Sequence, residues 1–205
     1  MKLVGFGGTC GGAPPQRASF DTTLTDGVME EYFAEFIRRL RAACGAITAE
    51  YFQVPIAAGD GVYRERVYCY ELYHRLRQEW GHFPFSLGGE INKSGHPFFR
   101  EGPHALAKPD FLVHQPGSMD TNLASVEVKS SRQDVEALVA DLRKLTWFRD
   151  EARYSGGILL IFGESQATAR DIGSELRAAA QAANLNLAKI VLLRHPVAGT
   201  EASVL

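Results

Sequence analysis

Cysteine is scarce in this chain of 205 residues: Cys10, Cys44 and Cys69 are the full set. An odd number at wide spacing supplies neither a disulfide framework nor a metal-ligand or redox pattern, and it points to a reducing cytoplasm. Long apolar runs are missing as well. The longest aliphatic–aromatic run, Ile158–Phe162, is far too short to cross a membrane. The N-terminal stretch is rich in glycine and has no continuous apolar segment, which argues against a signal peptide. Neither sign of charge dominates. Lys and Arg number 22 against 24 Asp and Glu, a net charge of −2, so global charge gives no pull toward nucleic acid. No glycine-rich phosphate loop ending in Gly-Lys-Ser/Thr occurs, and no internal repeat is visible.

What is present is ordinary for a globular protein, with 45% hydrophobic and 22% charged residues. A chain of this length buries roughly 70% of its unfolded surface and needs no metal or disulfide to hold a core. Residues 1–24, rich in Gly, Pro and Thr, read as a loose arm with a short strand at Lys2–Phe6. A helix is expected over Gly27–Cys44, capped by Asp26 and stopped by Gly45, with Met29, Phe33, Phe36, Ile37 and Leu40 as its apolar stripe. A second is expected over Tyr63–Trp80. There Tyr68, Leu72, Leu76 and Trp80 form the buried face, while Glu71, His74, Arg75 and Gln78 cluster elsewhere. Glu71 and Arg75 are four apart, so a plain helical ion pair is the simplest account of them.

A strand near Leu87–Asn92 is followed by two clearer ones, Lys108–His114 and Ala124–Ser130. Pro116, Gly117, Asp120 and Asn122 lie between them and predict an antiparallel hairpin. Next comes a helix from Ser131 to about Ala152, with Ser131 and Asp134 as a capping box. Gly156 and Gly157 introduce a buried strand at Ile158–Phe162. A helix near Gln166–Ala183 and a strand near Lys189–Arg194 complete the order. The pattern predicts an α/β fold, a mixed sheet flanked by helices. Residues 1–61 form an arm and helix packed on the core and residues 62–205 the α/β domain, the whole being one compact unit.

Side-chain alternation in the hairpin carries the chemistry. Asp110, Leu112 and His114 share one face of the first strand; Ser125, Glu127 and Lys129 share one face of the second. Phe111, Val113, Val126 and Val128 can then enter the core together, leaving Asp110, Glu127 and Lys129 close to one another on the other face. Two neighbouring buried carboxylates are costly unless a cation neutralises them. Two oxygen ligands beside a lysine suit Mg²⁺, with Mn²⁺ as a substitute. The bland counterpart is a surface hairpin whose charges are simply solvated.

Pro109-Asp110, sixteen residues, then Glu127-Val128-Lys129 resembles the active-site signature of the PD-(D/E)xK nuclease superfamily. The order of elements over residues 62–163 is similar too. The resemblance implies a restriction-endonuclease-like core and an Mg²⁺-dependent nuclease cutting phosphodiester bonds in DNA. It implies an endonuclease of restriction, repair or mobile-element defence that leaves 5′-phosphate and 3′-hydroxyl ends. Asp110 and Glu127 would be metal ligands, with the Val128 carbonyl as a third. Lys129 would orient the attacking water and stabilise charge on the phosphate. Glu71 matches the acidic residue that many members carry on the first core helix, and Glu90 competes for that role. Members of the RecB-like branch add Gln-x-x-x-Tyr to the helix after the lysine. This chain has Asp141 and Lys144 there instead, and these two, with Glu90 and Lys93, are accessory candidates.

Residues 62–108 hold 7 basic and 5 acidic residues and four of the six histidines. Beside such a site, Arg64, Arg66, Arg75, Lys93, His96, Arg100 and Lys108 become candidates for phosphate contacts. The partners implied are DNA, with RNA as an alternative, no membrane, and a second copy of the chain for a double-strand cut. A catalytically inactive module of the same fold, binding nucleic acid or a protein, is the competing reading. A nucleotide-binding α/β domain is a third, against which the missing phosphate loop counts.

Overall fold

A computed structural model describes residues 24–57, 59–90, 108–118, 120–164 and 172–205. Helices α1 (Asp26–Gly45), α2 (Ala49–Phe52) and α3 (Glu65–Gln78) precede strands β1 (Ser86–Gly89), β2 (Phe111–His114) and β3 (Asn122–Ser130). Then follow α4 (Val135–Asp150), β4 (Tyr154–Phe162), α5 (Ile172–Ala182), β5 (Ile190–His195) and β6 (Ser203–Val204). The six strands lie side by side in chain order. β1, β2 and β3 form an antiparallel meander; α4 and α5 carry the chain over to the parallel strands β4 and β5; β6 returns antiparallel. The result is an α/β fold with a mixed, open sheet flanked by helices.

Alternation along the strands divides the core in two. Val126, Val128, Ile158, Leu160, Phe162 and Leu193 turn to one face and bury Phe36, Leu40, Tyr68, Leu72 and Leu76 of α1 and α3. Leu159, Ile161 and Leu192 turn to the other and meet Leu138, Leu142 and Leu145 of α4 and Leu176 and Ala180 of α5. Register pairs Glu127 with Leu159 and Lys129 with Ile161, so both charged residues belong to the α4 face. Phe111, Val113, Val126 and Val128 of the hairpin enter the opposite core, as alternation predicts, while Leu112 packs with Phe148, Ala152 and Tyr154.

Several expectations change in detail. The cap of α4 is Asp134, whose carboxylate accepts the Ala137 N–H at 2.7 Å. Ser131 is occupied elsewhere: its N–H donates to the Phe162 carbonyl and its hydroxyl to that of Glu164, so the chain is still tied to β4 there. Gly156 and Gly157 do not precede β4 but lie inside it. A Cβ on Gly156 would run into the Phe33 ring and sit 2.7 Å from the Lys189 carbonyl oxygen, so α1 requires the bare backbone. The N-cap of α1 is Thr25, with no side-chain cap bond, and Asp26 is its first residue. The second expected helix is shortened to α3, and α2 and β6 were not foreseen. The strand read at Lys2–Phe6 lies outside the described residues.

Candidate active site

Asp110 stands one residue before β2, just past the last paired position, Phe111 with Val126. Its side chain continues the ladder that its backbone leaves: Asp110 Oδ2 accepts the Val128 N–H at 2.7 Å. Pro109, which has no N–H to give, occupies the strand entrance where no ladder bond is lost. The N–H and C=O of one strand residue point to the same side, so the Val128 carbonyl also faces the Asp110 edge. The Val128 side chain is buried in the opposite core.

On β3, Glu127 is 2% exposed and Lys129 half-buried, both facing α4. α4 answers with Asp141 and Lys144, one turn apart and joined at 3.0 Å. Lys144 Nζ lies 2.9 Å from Glu127 Oε1, an ion pair whose geometry is not that of an aligned hydrogen bond. Lys129 Nζ lies 3.5 Å from Glu65 Oε2 and 3.9 Å from Asp141 Oδ2. Glu65 opens α3, and its other oxygen accepts the Ser130 N–H and the Gln133 amide, each at 3.1 Å. The first turn of α3 is thereby pinned to the end of β3.

Burial sets the electrostatics. It pushes the Glu127 carboxyl up to about 8, against the pull of Lys144 and with help from Asp110. It also raises Asp110, against the Val128 N–H and both lysines. Burial pulls the lysines down, but the surrounding carboxylates outweigh it, and Lys129 and Lys144 both end above the usual lysine value. Four carboxylates (Glu65, Asp110, Glu127, Asp141) thus face two ammonium groups. A divalent cation would balance that excess; without one, a proton on Glu127 relieves it. Among the described residues, no three acidic, His or Cys side chains form a ready-made metal cage. Two carboxylates and one carbonyl still fit a hard cation that keeps several waters, as Mg²⁺ does.

Glu71 has to be corrected. It is 8% exposed, and its carboxylate accepts Arg75 Nε at 2.6 Å, the plain helical pair. Arg75 lines a groove between α1 and α3 with Arg38 and Arg39, away from Asp110. The reason is helical phase: Cys69 and Tyr73 of α3 border Asp110, and Glu71 lies well over a quarter turn round from both. Glu65, four before Cys69 and eight before Tyr73, falls on the productive side. That spacing was the available signal, and it was missed. Glu90 comes near through its backbone, donating its N–H to the Asp110 carbonyl at 3.1 Å. Its carboxylate turns outward to Arg66 at 3.3 Å. Arg64 and Lys108 are exposed, at the start of α3 and two residues before Asp110. Lys93, His96 and Arg100 lie outside the described residues. Comparison of the chain with protein-family models, curated proteins and solved structures returned no match.

Proposed function

We propose that this chain is a divalent-metal-dependent nuclease that hydrolyses phosphodiester bonds in DNA. One observation carries the reading. Asp110, Glu127 and Lys129 lie together along β3, where the buried and half-buried carboxylates of Glu65, Asp110, Glu127 and Asp141 outnumber two ammonium groups. Removing such charges from water costs several kcal/mol per ion, and natural cores retain that cost mainly where function needs it. Asp110 through its remaining oxygen, Glu127 and the Val128 carbonyl would hold the Mg²⁺ or Mn²⁺. When bound, the ion supplies Lewis acidity toward a phosphate oxygen and a water of lowered pKa.

The protein's own groups do the rest. Lys129, kept cationic by Glu65 and Asp141, places a fixed positive charge where the phosphate gains negative charge. Because two carboxylates hold it, it needs little reorganisation during reaction. Lys144 anchors Glu127 from α4 and stops the buried carboxylate from swinging. The Val128 N–H fixes one oxygen of Asp110 and leaves the other for the ligand role. Among the described residues, no helix is long and apolar enough to cross a membrane.

The competing reading, a binding module without turnover, has one observation in its favour: Lys144 already neutralises Glu127 without a metal. Incubating the purified protein with linear, circular, single-stranded and branched DNA, each with Mg²⁺, Mn²⁺ or EDTA, separates the two. Cutting that EDTA abolishes supports the nuclease. Binding with no cutting under any metal supports the inactive module.

A further inference from the structure

The outward side of α3 carries Arg66, Tyr70, Tyr73 and Arg77, spaced four, three and four apart. At 100° per residue these fall within about 60° of one another, a single stripe of charge, ring, ring, charge. Both arginines are exposed, and Tyr70 is 64% exposed, an unusual place for so large an apolar surface. Tyr73 is fixed: its ring stacks on Phe111 at 6.3 Å between centroids, and its hydroxyl donates to the Leu87 carbonyl at 3.3 Å. Tyr70 and Tyr73 open into a cavity of about 390 Å³ whose wall includes Cys69, Phe111, Glu90 and Asp110. An aromatic hollow with room for a nucleoside therefore adjoins the carboxylate proposed to cut the backbone.

We infer that the site takes unpaired DNA, with a base next to the scissile phosphate seated against Tyr70 and Tyr73; this rests on the nuclease reading above. In a duplex, each base face is covered by its stacked neighbours. Only an unpaired base has a face free for a tyrosine. Stacking of this kind tolerates any sequence, since every base has such a face. Arg66 and Arg77 bracket the rings at the spacing of a basic, aromatic track, and they take the flanking phosphates. Among the described residues, Arg66 is held by an exposed pair with Glu90, a kind of contact that is weak and easily exchanged.

The test uses the full chain, in EDTA so that nothing is cut, and fluorescence anisotropy with a labelled single strand and the matching blunt duplex. The wild type is expected to prefer the single strand. Tyr70→Ala should weaken single-strand binding roughly fivefold to a hundredfold, the range for one lost stack, and Tyr70→Trp should restore it. Tyr70 is exposed, so the melting temperature should stay put and show that the fold survives. Equal affinity for both forms, or a Tyr70→Ala variant that binds the single strand as the wild type does, would overturn the inference. Addition of Mg²⁺ or Mn²⁺ then separates this from the underlying reading. Single-strand binding through Tyr70 with no cutting removes the nuclease and leaves the track. Duplex cutting that is indifferent to Tyr70 removes the track and leaves the nuclease. Binding of neither form removes both.

Discussion

On the face of the sheet covered by α1 and α3, the side chains of Tyr68, His195 and Cys44 form a neutral cluster against the strands. The Tyr68 hydroxyl lies 2.7 Å from His195 Nδ1 and 3.5 Å from Cys44 Sγ, and the Tyr68 ring stacks on Phe162 at 3.9 Å. Burial holds His195 down to about 4 and the Cys44 thiol up at about 12, so neither carries charge at neutral pH. On the face covered by α4, buried Glu127 and Asp141 meet half-buried Lys129 and Lys144, with Asp110 and Glu65 at the margin, four carboxylates against two ammonium groups. A neutral network can be satisfied by geometry alone and makes the core specific. A charged one with leftover sign remains costly after its best pairing. The first kind of cluster is explained by folding; the second calls for a ligand. The two faces share their strands, so the difference lies in the side chains that β3 and α4 turn to one face and α3 and β5 to the other.

If that contrast is right, the largest effects belong to activity on the α4 face. Asp110→Ala should abolish DNA cleavage and Mn²⁺ binding together. Lys129→Ala should cut turnover by on the order of a hundredfold or more, the loss usual for one preorganised charge-stabilising group. It should keep the fold, because Glu65 still has Ser130 and Gln133, and Asp141 still has Lys144. It should also keep much of the metal affinity, because both carboxylates remain. Cleavage assays beside calorimetric titration with Mn²⁺ read both. Undiminished turnover in Lys129→Ala would take the lysine out of the chemistry.

The second test sets the two faces against each other through pH, in EDTA. The Glu127 value is raised from 4.5 to about 8. Between those values the folded state holds more protons than the unfolded one, so this group's contribution is full below pH 4.5 and is lost as pH rises through about 8. The His195 value is lowered from 6.5 to about 4. Its contribution is full above pH 6.5 and is lost as pH falls through about 4, by at most about 3 kcal/mol. Urea unfolding across this range should show a loss on each side. Glu127→Gln should flatten only the alkaline loss, and His195→Gln only the acid one. A variant that flattened the wrong limb would show that the charge had been assigned to the wrong face.

These two clusters were unequally legible in the sequence. Asp110, Glu127 and Lys129 could be placed together because strand alternation is rigid and the hairpin is local. Asp141 and Lys144 stood out by one-turn spacing. Glu65 was hidden because an acid in the first turn of a helix already has a local explanation in the helix dipole. Glu71 drew attention as the acid expected on the first core helix, and its carboxylate is taken by the helical pair with Arg75. The Tyr68–His195 contact joins residues 127 apart and left no local trace. Gly156 and Gly157 read as the lead-in to a strand because the groups that crowd them inside β4, Phe33, Leu145, Lys189 and Ile190, are distant in the chain. α2 and β6, of four and two residues, are too short to show a period.

A smaller effect should follow from Gly156→Ala. Its Cβ would strike the Phe33 ring and the Lys189 carbonyl, and overpacking of this kind costs about 1–3 kcal/mol. The shift of the urea midpoint measures it. Because α1 lies on the neutral face, metal affinity at Asp110 should not change. A change there would mean that strain passes through β4 into the charged face.

The smallest effect should come from Tyr68→Phe, and it bears most directly on the contrast between the faces. The substitution keeps the ring and its stack on Phe162 and removes only the hydroxyl from His195 Nδ1 and the Cys44 thiol. What is lost is the short buried hydrogen bond with His195 Nδ1 and the longer, weaker one with the Cys44 thiol. That costs about 1–2 kcal/mol, and a phenylalanine of nearly the same shape opens no cavity. The lowered stability should appear in urea unfolding at pH 7, with the unfolding slope unchanged. DNA cleavage below the melting transition should equal that of the wild type. Among the described residues, the Tyr68 hydroxyl bonds His195 Nδ1 and Cys44 Sγ, and neither of these pairs with Asp110, Glu127 or Lys129. If Tyr68→Phe lowered turnover as Lys129→Ala is expected to do, the neutral cluster would be part of the reaction, and the division between a face that folds and a face that acts would be wrong.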